Sequence, residues 1–322
     1  MAARAFIFPG QGSQSVGMGR DLAAAFAAAR EVFEEVDEVL KQRLSKLMFE
    51  GPADELTLTE NTQPALMAIS LAVLRVMERE GGWRLKERAA LVAGHSLGEY
   101  SALASAGSFS VADAARLLRL RGRTMQAAVP PGEGGMAALI GVDMEQAGAI
   151  CAEAAPVPGS ETGAREVAEP ANDNGGGQVV ISGHRTAIER AIEIAKKRGI
   201  RRAMPLPVSA PFHCALMAPA ADALAEALEV TPPRSPAVPL VANVSAAKAT
   251  EPDQIRDGLV RQVTATVRWR ESIEAMTAMG VDRFVELGAG KVLTGLNRRI
   301  APDAAAVAAG TPAEIEAVLK TI

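Results

Sequence analysis

The run Ala89-Ala90-Leu91-Val92-Ala93 passes directly into Gly94-His95-Ser96-Leu97-Gly98, and then into Glu99-Tyr100-Ser101-Ala102-Leu103-Ala104, which has helical composition. Apolar run, glycine-flanked serine and helix, in that order, require a buried strand that turns sharply into a helix. A serine on such a turn has strained backbone, so the residues two places to either side must lack a Cβ. Gly94 and Gly98 meet that need. A chain with 29 glycines can produce five such residues by chance, so the strand before and the helix after carry the inference. The turn lifts the Ser96 hydroxyl clear of the sheet, and the first N–H groups of the helix lack intrahelical partners. Ser96 is therefore the expected nucleophile and the Leu97 N–H an expected oxyanion donor. The pattern indicates acyl chemistry and specifies no substrate.

Strand and helix signals alternate around this turn: a strand at 5–8 and a helix at 21–40, a helix at 63–79, a strand at 89–93, then helices at 97–106 and 111–128. That order predicts a parallel sheet covered by helices. From about residue 130 the rhythm changes to strand 136–140, helix 144–154, strands 167–171 and 178–182, helix 187–198 and strand 203–208. This is the β-α-β-β-α-β order of a ferredoxin-like unit. Residues 156–165, rich in Pro, Gly, Ser and Thr, read as a surface loop within it. Strands at 238–241 and 283–286 and a helix at 292–299 resume the first pattern. At 322 residues the chain exceeds one compact core. The expected fold class is α/β. A discontinuous α/β-hydrolase-like large domain, 1–129 and 208–322, has a mostly parallel sheet and is interrupted by a small ferredoxin-like domain, 130–207.

Charge narrows the partners. Basic residues number 34 against 38 acidic, a net of −4, which gives no electrostatic case for nucleic acid. No apolar stretch approaches the roughly 20 residues of a membrane span. Residues 1–9 read as a buried strand entering a glycine loop, without the order of a signal peptide. Cys151 and Cys214 are too few for a disulfide framework. A cytoplasmic location is expected.

A nucleophilic serine needs a base, and the chain has three histidines. His95 adjoins Ser96, and neighbours on a tight turn project apart, so it reads as structural. His184 lies where a strand of the small unit meets a helix and reads as solvent-exposed. His213, in Ser209-Ala210-Pro211-Phe212-His213-Cys214, remains as the expected base. Gly10-Gln11-Gly12 has Ser15 where a nucleotide-binding loop needs glycine, and Gly288-Ala289-Gly290-Lys291 lacks the upstream glycine of a P-loop.

Several further segments stand at matching spacing: Phe8-Pro9-Gly10-Gln11-Gly12-Ser13-Gln14, Arg121-Gly122-Arg123-Thr124-Met125-Gln126, His213-Cys214-Ala215-Leu216-Met217, Gln262 and Glu286-Leu287-Gly288-Ala289-Gly290-Lys291. With Gly94 to Leu103, these make the chain resemble the malonyl-CoA:acyl carrier protein transacylases, relatives of the acyltransferase domains of polyketide synthases. The resemblance implies Ser96 as nucleophile and His213 as base. It implies Gln262 in place of the usual carboxylate, orienting the imidazole through its amide or its own carbonyl, and the Gln11 N–H as second oxyanion donor beside Leu97. It also selects Arg121 from Arg116, Arg119, Arg121 and Arg123, a run of which most members are solvated. A guanidinium fork there would hold the free carboxylate of a malonyl group. Phe212 either crowds the α-carbon of the acyl group or is a packing residue. Asn172 and Asn174 either line the pantetheine entrance or make a turn.

The resemblance further implies malonyl-CoA and coenzyme A as ligands, acyl carrier protein as partner, a role in fatty acid biosynthesis, a monomer, and no metal or redox cofactor. The clusters Lys196-Lys197-Arg198 with Arg201-Arg202, and Arg298-Arg299, are candidate docking surfaces for an acidic carrier, or solvated helix ends. A serine esterase or thioesterase would share Ser96 and His213, but would normally supply an Asp or Glu partner and has no use for Arg121. A polyketide pathway is the other alternative, and a non-catalytic scaffold has no need of Ser96, His213 and Arg121 together. Two departures from the family pattern are Ala289, where proline is common, and the long loop 156–165.

Overall fold

The computed structural model describes residues 3–322. The first two residues of the segment expected to enter the N-terminal strand lie outside the described residues. Ten strands are described: β1 (Ala3–Phe8), β2 (Leu91–Gly94), β3 (Gly134–Ile140), β4 (Ala168–Asp173), β5 (Gln178–His184), β6 (Arg202–Pro205), β7 (Leu240–Val241), β8 (Lys248–Ala249), β9 (Val281–Leu287) and β10 (Ala305–Ala309). They form two sheets.

The larger sheet has the order β10-β9-β1-β2-β7-β8, parallel throughout except for the β7–β8 pair. Residues alternate across β1, and both faces are buried. Phe6 and Phe8 pack with Val92 and with Leu66 and Ile69 of the long helix Thr59–Gly81. Ala5 and Ile7 pack with Trp269, Ile273 and Leu293 on the other side. The register places Phe8 beside Gly94 and Ile7 beside Glu286, and the neighbouring β2–β7 pair aligns Val92 with Leu240. The loops after β1, β2, β7 and β9 therefore leave the sheet at one edge, the carboxyl ends of parallel strands, where such sheets bind ligands.

The smaller sheet is antiparallel, order β4-β5-β3-β6, with helices Met144–Ala154 and Arg185–Lys197 following β3 and β5. Its core of Leu139, Ile150, Ile181 and Ile188 is separate from the other two. It joins the larger body at a bridge between Asn172 and Val267, where Asp173 N–H donates to the Val267 carbonyl and Val267 N–H to the Ala171 carbonyl, each at 2.9 Å. The loop 156–165 is mostly exposed and is closed at its base by a Pro156–Arg165 bridge.

Several expectations need correction. The helix expected at 21–40 is two helices, Arg20–Ala25 and Ala27–Leu40, because Phe26 adopts extended backbone and packs its ring against the core. The helix expected from 63 begins at Thr59. Pro64 sits inside it rather than at its first turn, where proline is favoured. Helices Ala218–Val230, Pro252–Gln262, Trp269–Ala278 and Pro312–Leu319, and strand β10, were not expected. The sequence of β10, Ala-Ala-Val-Ala-Ala, has almost no intrinsic strand preference, and its pairing along β9 decides its conformation.

Candidate active site

β2 ends at Gly94, the helix Gly98–Ser105 begins four residues later, and Ser96 between them has φ +52°. Non-glycine residues in this region carry strain of about 1–3 kcal/mol, sustained only by their surroundings. The flanking glycines are required sterically: a Cβ on Gly94 would lie 1.9 Å from the Gly98 carbonyl oxygen, and one on Gly98 2.3 Å from that of Phe8. Asn243, just past β7, clamps the turn. Its Oδ1 accepts the Ser96 N–H at 2.8 Å and its Nδ2 donates to the Gly94 carbonyl at 2.7 Å.

The Ser96 hydroxyl donates to His213 Nε2 at 2.7 Å, and Nδ1 of the same ring meets the Gln262 backbone carbonyl at 2.8 Å. A carbonyl only accepts, so the proton resides on Nδ1 and Nε2 is free to take the serine proton. The Gln262 side chain is therefore not the imidazole's partner; its main chain is. His213 lies in the segment after β6 with φ +59°. Burial, and then the positive charge of Arg121, push its pKa down to about 3, so the ring is neutral at physiological pH.

Arg121, on the helix Val111–Ala127, is 2% exposed, whereas Arg116 and Arg123 of the same run are exposed and Arg119 is half-buried. Its Nη1 donates to Gln63 Oε1 at 2.8 Å, and its Nη2 to Gln262 Oε1 at 2.9 Å and to Ser96 Oγ at 3.1 Å. The guanidinium stands 5.8 Å from the centre of the Tyr100 ring. Its Nε is buried without an acceptor among the described residues. The helix can sit this close to Thr59–Gly81 because Gly122 faces it: a Cβ there would lie 2.5 Å from Glu60 Cα.

Gln11 follows β1 beside this turn, and its Oε1 accepts from Thr59 Oγ1, which in turn accepts from Gln63 Nε2. Neither the Gln11 N–H nor the Leu97 N–H donates to a protein acceptor among the described residues. Gly10 lies against His95, where a Cβ would come 2.7 Å from the carbonyl oxygen.

His95 projects away from Ser96. Its Nε2 bonds Asn174 Oδ1 at 2.9 Å, and its ring lies 5.7 Å from that of Trp269. Asn174 also closes the β4–β5 turn, its N–H donating to the Gln178 carbonyl. Asn172 is buried in β4 at the bridge to Val267, and Phe212 is buried in the main core. None of these three side chains hydrogen-bonds Ser96, His213 or Arg121 among the described residues. His184, expected to be solvated, is half-buried, and its Nδ1 accepts the Val167 N–H at 2.8 Å, holding the start of β4 against the end of β5.

Two residues of the network were missed. Asn243 is the first polar residue after an apolar run at the carboxyl end of a strand beside β2, a position that could have signalled it. Glu99 is 1% exposed, a lone acid among buried residues one turn past the nucleophile. Its Oε2 accepts from Asn243 N–H at 3.1 Å and from Gln262 Nε2 at 2.8 Å. Burial pushes its carboxyl up to about 7, a rise held back by these two bonds and by Arg121.

The acyl transferase domain family model matches residues 5–309. The chain is 48% identical over 320 residues to the malonyl CoA-acyl carrier protein transacylase of Escherichia coli strain K12, covering 99% of this chain and 100% of that one. The chain belongs to this acyltransferase family. A solved acyl-carrier-protein-S-malonyltransferase from Bartonella henselae is 56% identical, with TM-score 0.93, 99% of this chain and 98% of that one covered. A malonyl-transacylase solved in complex with its type II PKS acyl-carrier protein is 44% identical, with TM-score 0.93 and full coverage of both chains. These structures share the mixed α/β architecture, with one mostly parallel and one antiparallel sheet. In this chain Ser96, His213, Arg121 and the Gln262 main-chain carbonyl lie within one hydrogen-bonded cluster.

Proposed function

We propose that this protein transfers the malonyl group of malonyl-CoA to the phosphopantetheine thiol of acyl carrier protein, through a malonyl ester of Ser96. The observation that carries the reading is that one oxygen, Ser96 Oγ, is bonded both to a neutral imidazole and to a buried guanidinium. The first suits an acyl nucleophile; the second suits an acyl group bearing its own carboxylate. A neutral analogue offers the buried Arg121 charge no anion, which disfavours acetyl.

His213 Nε2 takes the Ser96 proton as Oγ attacks the thioester carbonyl. The Leu97 and Gln11 N–H groups receive the oxyanion. Coenzyme A leaves as the thiol, carrying the proton from Nε2; the carrier's thiol then gives its proton to Nε2 as it attacks the ester, and Nε2 returns that proton to Ser96 Oγ as the ester bond breaks. The Gln262 carbonyl orients the ring without a carboxylate's charge, so the imidazolium is short-lived in both directions. A malonyl carboxylate paired with Arg121 offsets the charge that depresses His213, so the base strengthens as the proper substrate arrives.

In this reading the large domain comprises 1–129 and 208–322, α/β-hydrolase-like in character, and 130–207 is a ferredoxin-like domain. Its strand order β4-β5-β3-β6 and its separate core support that division. Asn172, Asn174 and Phe212, where the two bodies meet, flank the path of the pantetheine arm. The enzyme works as a cytoplasmic monomer; among the described residues no helix is long and apolar enough to cross a membrane.

Intact-mass measurement after brief mixing with malonyl-CoA tests this. Wild type gains a malonyl adduct that passes to added acyl carrier protein, and Ser96→Ala gains none. Free malonate, with no adduct transferable to the carrier, would show a hydrolase instead.

A further inference from the structure

We propose that Glu99 is a positioning residue that, when ionised, anchors the Gln262 amide and so holds Arg121 against Ser96. This rests on the reading of Ser96 as the acylated residue. It adds a residue that touches neither substrate nor nucleophile side chain.

Gln262 is buried between an acid and a base. Its Nε2 donates to Glu99 Oε2 at 2.8 Å, and its Oε1 accepts from Arg121 Nη2 at 2.9 Å. Reversing the amide would point its oxygen at a carboxylate and its NH2 at a guanidinium, two donor–donor or acceptor–acceptor conflicts in a dry site. Arg121, the Ser96 carbonyl and Asn243 Oδ1 set the same orientation, with the oxygen facing Arg121, and the ionised Glu99 is the one charged acceptor that anchors Nε2. The same Nη2 reaches Ser96 Oγ, so the acid is linked to the nucleophile through two side chains. The remaining bonds are consistent with this: Gln262 Nε2 also lies 3.0 Å from the Ser96 carbonyl, and Asn243 N–H, from the clamp on the turn, completes Oε2. A protonated Glu99 is a weaker acceptor for Nε2, so the amide is held less firmly although Arg121, the Ser96 carbonyl and Asn243 Oδ1 still set its orientation.

The charged and titratable groups around Glu99 are few. Arg121 faces it from the helix Val111–Ala127, and Tyr100 lies beside it on its own helix, its phenol pushed up by burial and therefore neutral. The segment after β7 and the helix Pro252–Gln262 present Asn243 and Gln262, both uncharged. β1, β2 and the helix Thr59–Gly81, the other elements packed on this helix, contribute no charge that moves it. Within this site the Glu99 carboxyl changes charge near neutrality, at about 7, whereas His213 does so only near 3. An acid limb near neutrality, which would ordinarily be credited to a catalytic histidine, therefore belongs to Glu99.

The test is the second-order rate of malonyl-Ser96 formation from roughly pH 5.5 to 8.5, with malonyl-pantetheine as donor because it lacks the titrating phosphates of coenzyme A. Wild type rises with pH to a plateau, about tenfold per pH unit well below a midpoint near 7. Glu99→Gln is slower than the wild-type plateau and flat across this range, and Glu99→Asp keeps a limb. Histidine NMR of the unmodified enzyme keeps His213 neutral throughout, a readout independent of whether any variant folds. A limb retained in Glu99→Gln, a flat wild-type profile, or a His213 that titrates with the limb would each overturn the proposal. Absence of malonyl-serine in wild type at every pH would overturn the transacylase reading with it.

Discussion

Arg121 Nη2 lies 3.1 Å from the oxygen expected to attack, so the group proposed to recognise the substrate and the group proposed to react share one address. Replacing Arg121 by Ala removes a charge-assisted fork worth about 3 kcal/mol, so malonyl loading should fall about 10²-fold. Acetyl loading should fall much less or rise, because no cation is left unpaired. Lysine, a point charge without the fork, should restore only part of the malonyl rate. Competition between malonyl-CoA and acetyl-CoA, read by intact mass, checks this; equal losses for both acyl groups would remove Arg121 from recognition. At this scale Ser96 was legible because its glycines are forced by contacts of about 2 Å, and His213 because only three histidines exist. Glu99 and Asn243 were not legible. Glu99 meets the Asn243 N–H and the Gln262 side-chain amide, and Asn243 meets the Ser96 N–H and the Gly94 carbonyl, all more than a hundred positions away along the chain, and a local pattern of side chains carries no trace of that.

The elements hold these residues through close approaches of backbone. Gly122 lets the helix Val111–Ala127 rest on Thr59–Gly81, so that Arg121 meets Gln63 across the seam. A Cβ at 122 would stand 2.5 Å from Glu60 Cα, and only a shift of one helix relieves that. Gly122→Ala should lose about 1–3 kcal/mol of stability, as overpacked helix contacts do. It should also blunt the preference for malonyl over acetyl, since Arg121 moves with its helix. Urea unfolding and the same competition assay measure both, and unchanged selectivity would mean that Arg121 adjusts independently of the seam. The seam was not legible, since Gly122 lies in a helical run that reads as an ordinary arginine-rich face. The break at Phe26 was hidden for a similar reason. No proline or glycine marks it, and the pull of the core on one ring overrides local preference.

Across the whole molecule, the succession of β1, β2, β7 and β9 was readable because a crossover between parallel strands is usually a helix. The contact between the two bodies was not, because it joins positions far apart in the chain: backbone at Asn172–Val267, His95 to Asn174, Arg270 to Asp173 and Thr266 to the Pro170 carbonyl. Two of the titratable groups buried in the fold, His213 and Glu99, have opposite consequences for stability. His213 titrates near 3 in the folded chain against 6.5 ordinarily. The unfolded chain thus binds more protons between those values, and stability from this group is complete above 6.5 and is lost as pH falls towards 3. Glu99 titrates near 7 against 4.5, so the folded chain binds the extra proton. Its contribution is complete below 4.5 and is lost as pH rises to 7. Glu99→Gln removes the second effect and leaves the first. Its stability relative to wild type should therefore increase from pH 4.5 to 7, by on the order of 3 kcal/mol, and stay constant above. Urea unfolding of both proteins at several pH values measures the difference directly. A gap independent of pH would mean that Glu99 is already ionised throughout this range, with Arg121 outweighing the cost of burial.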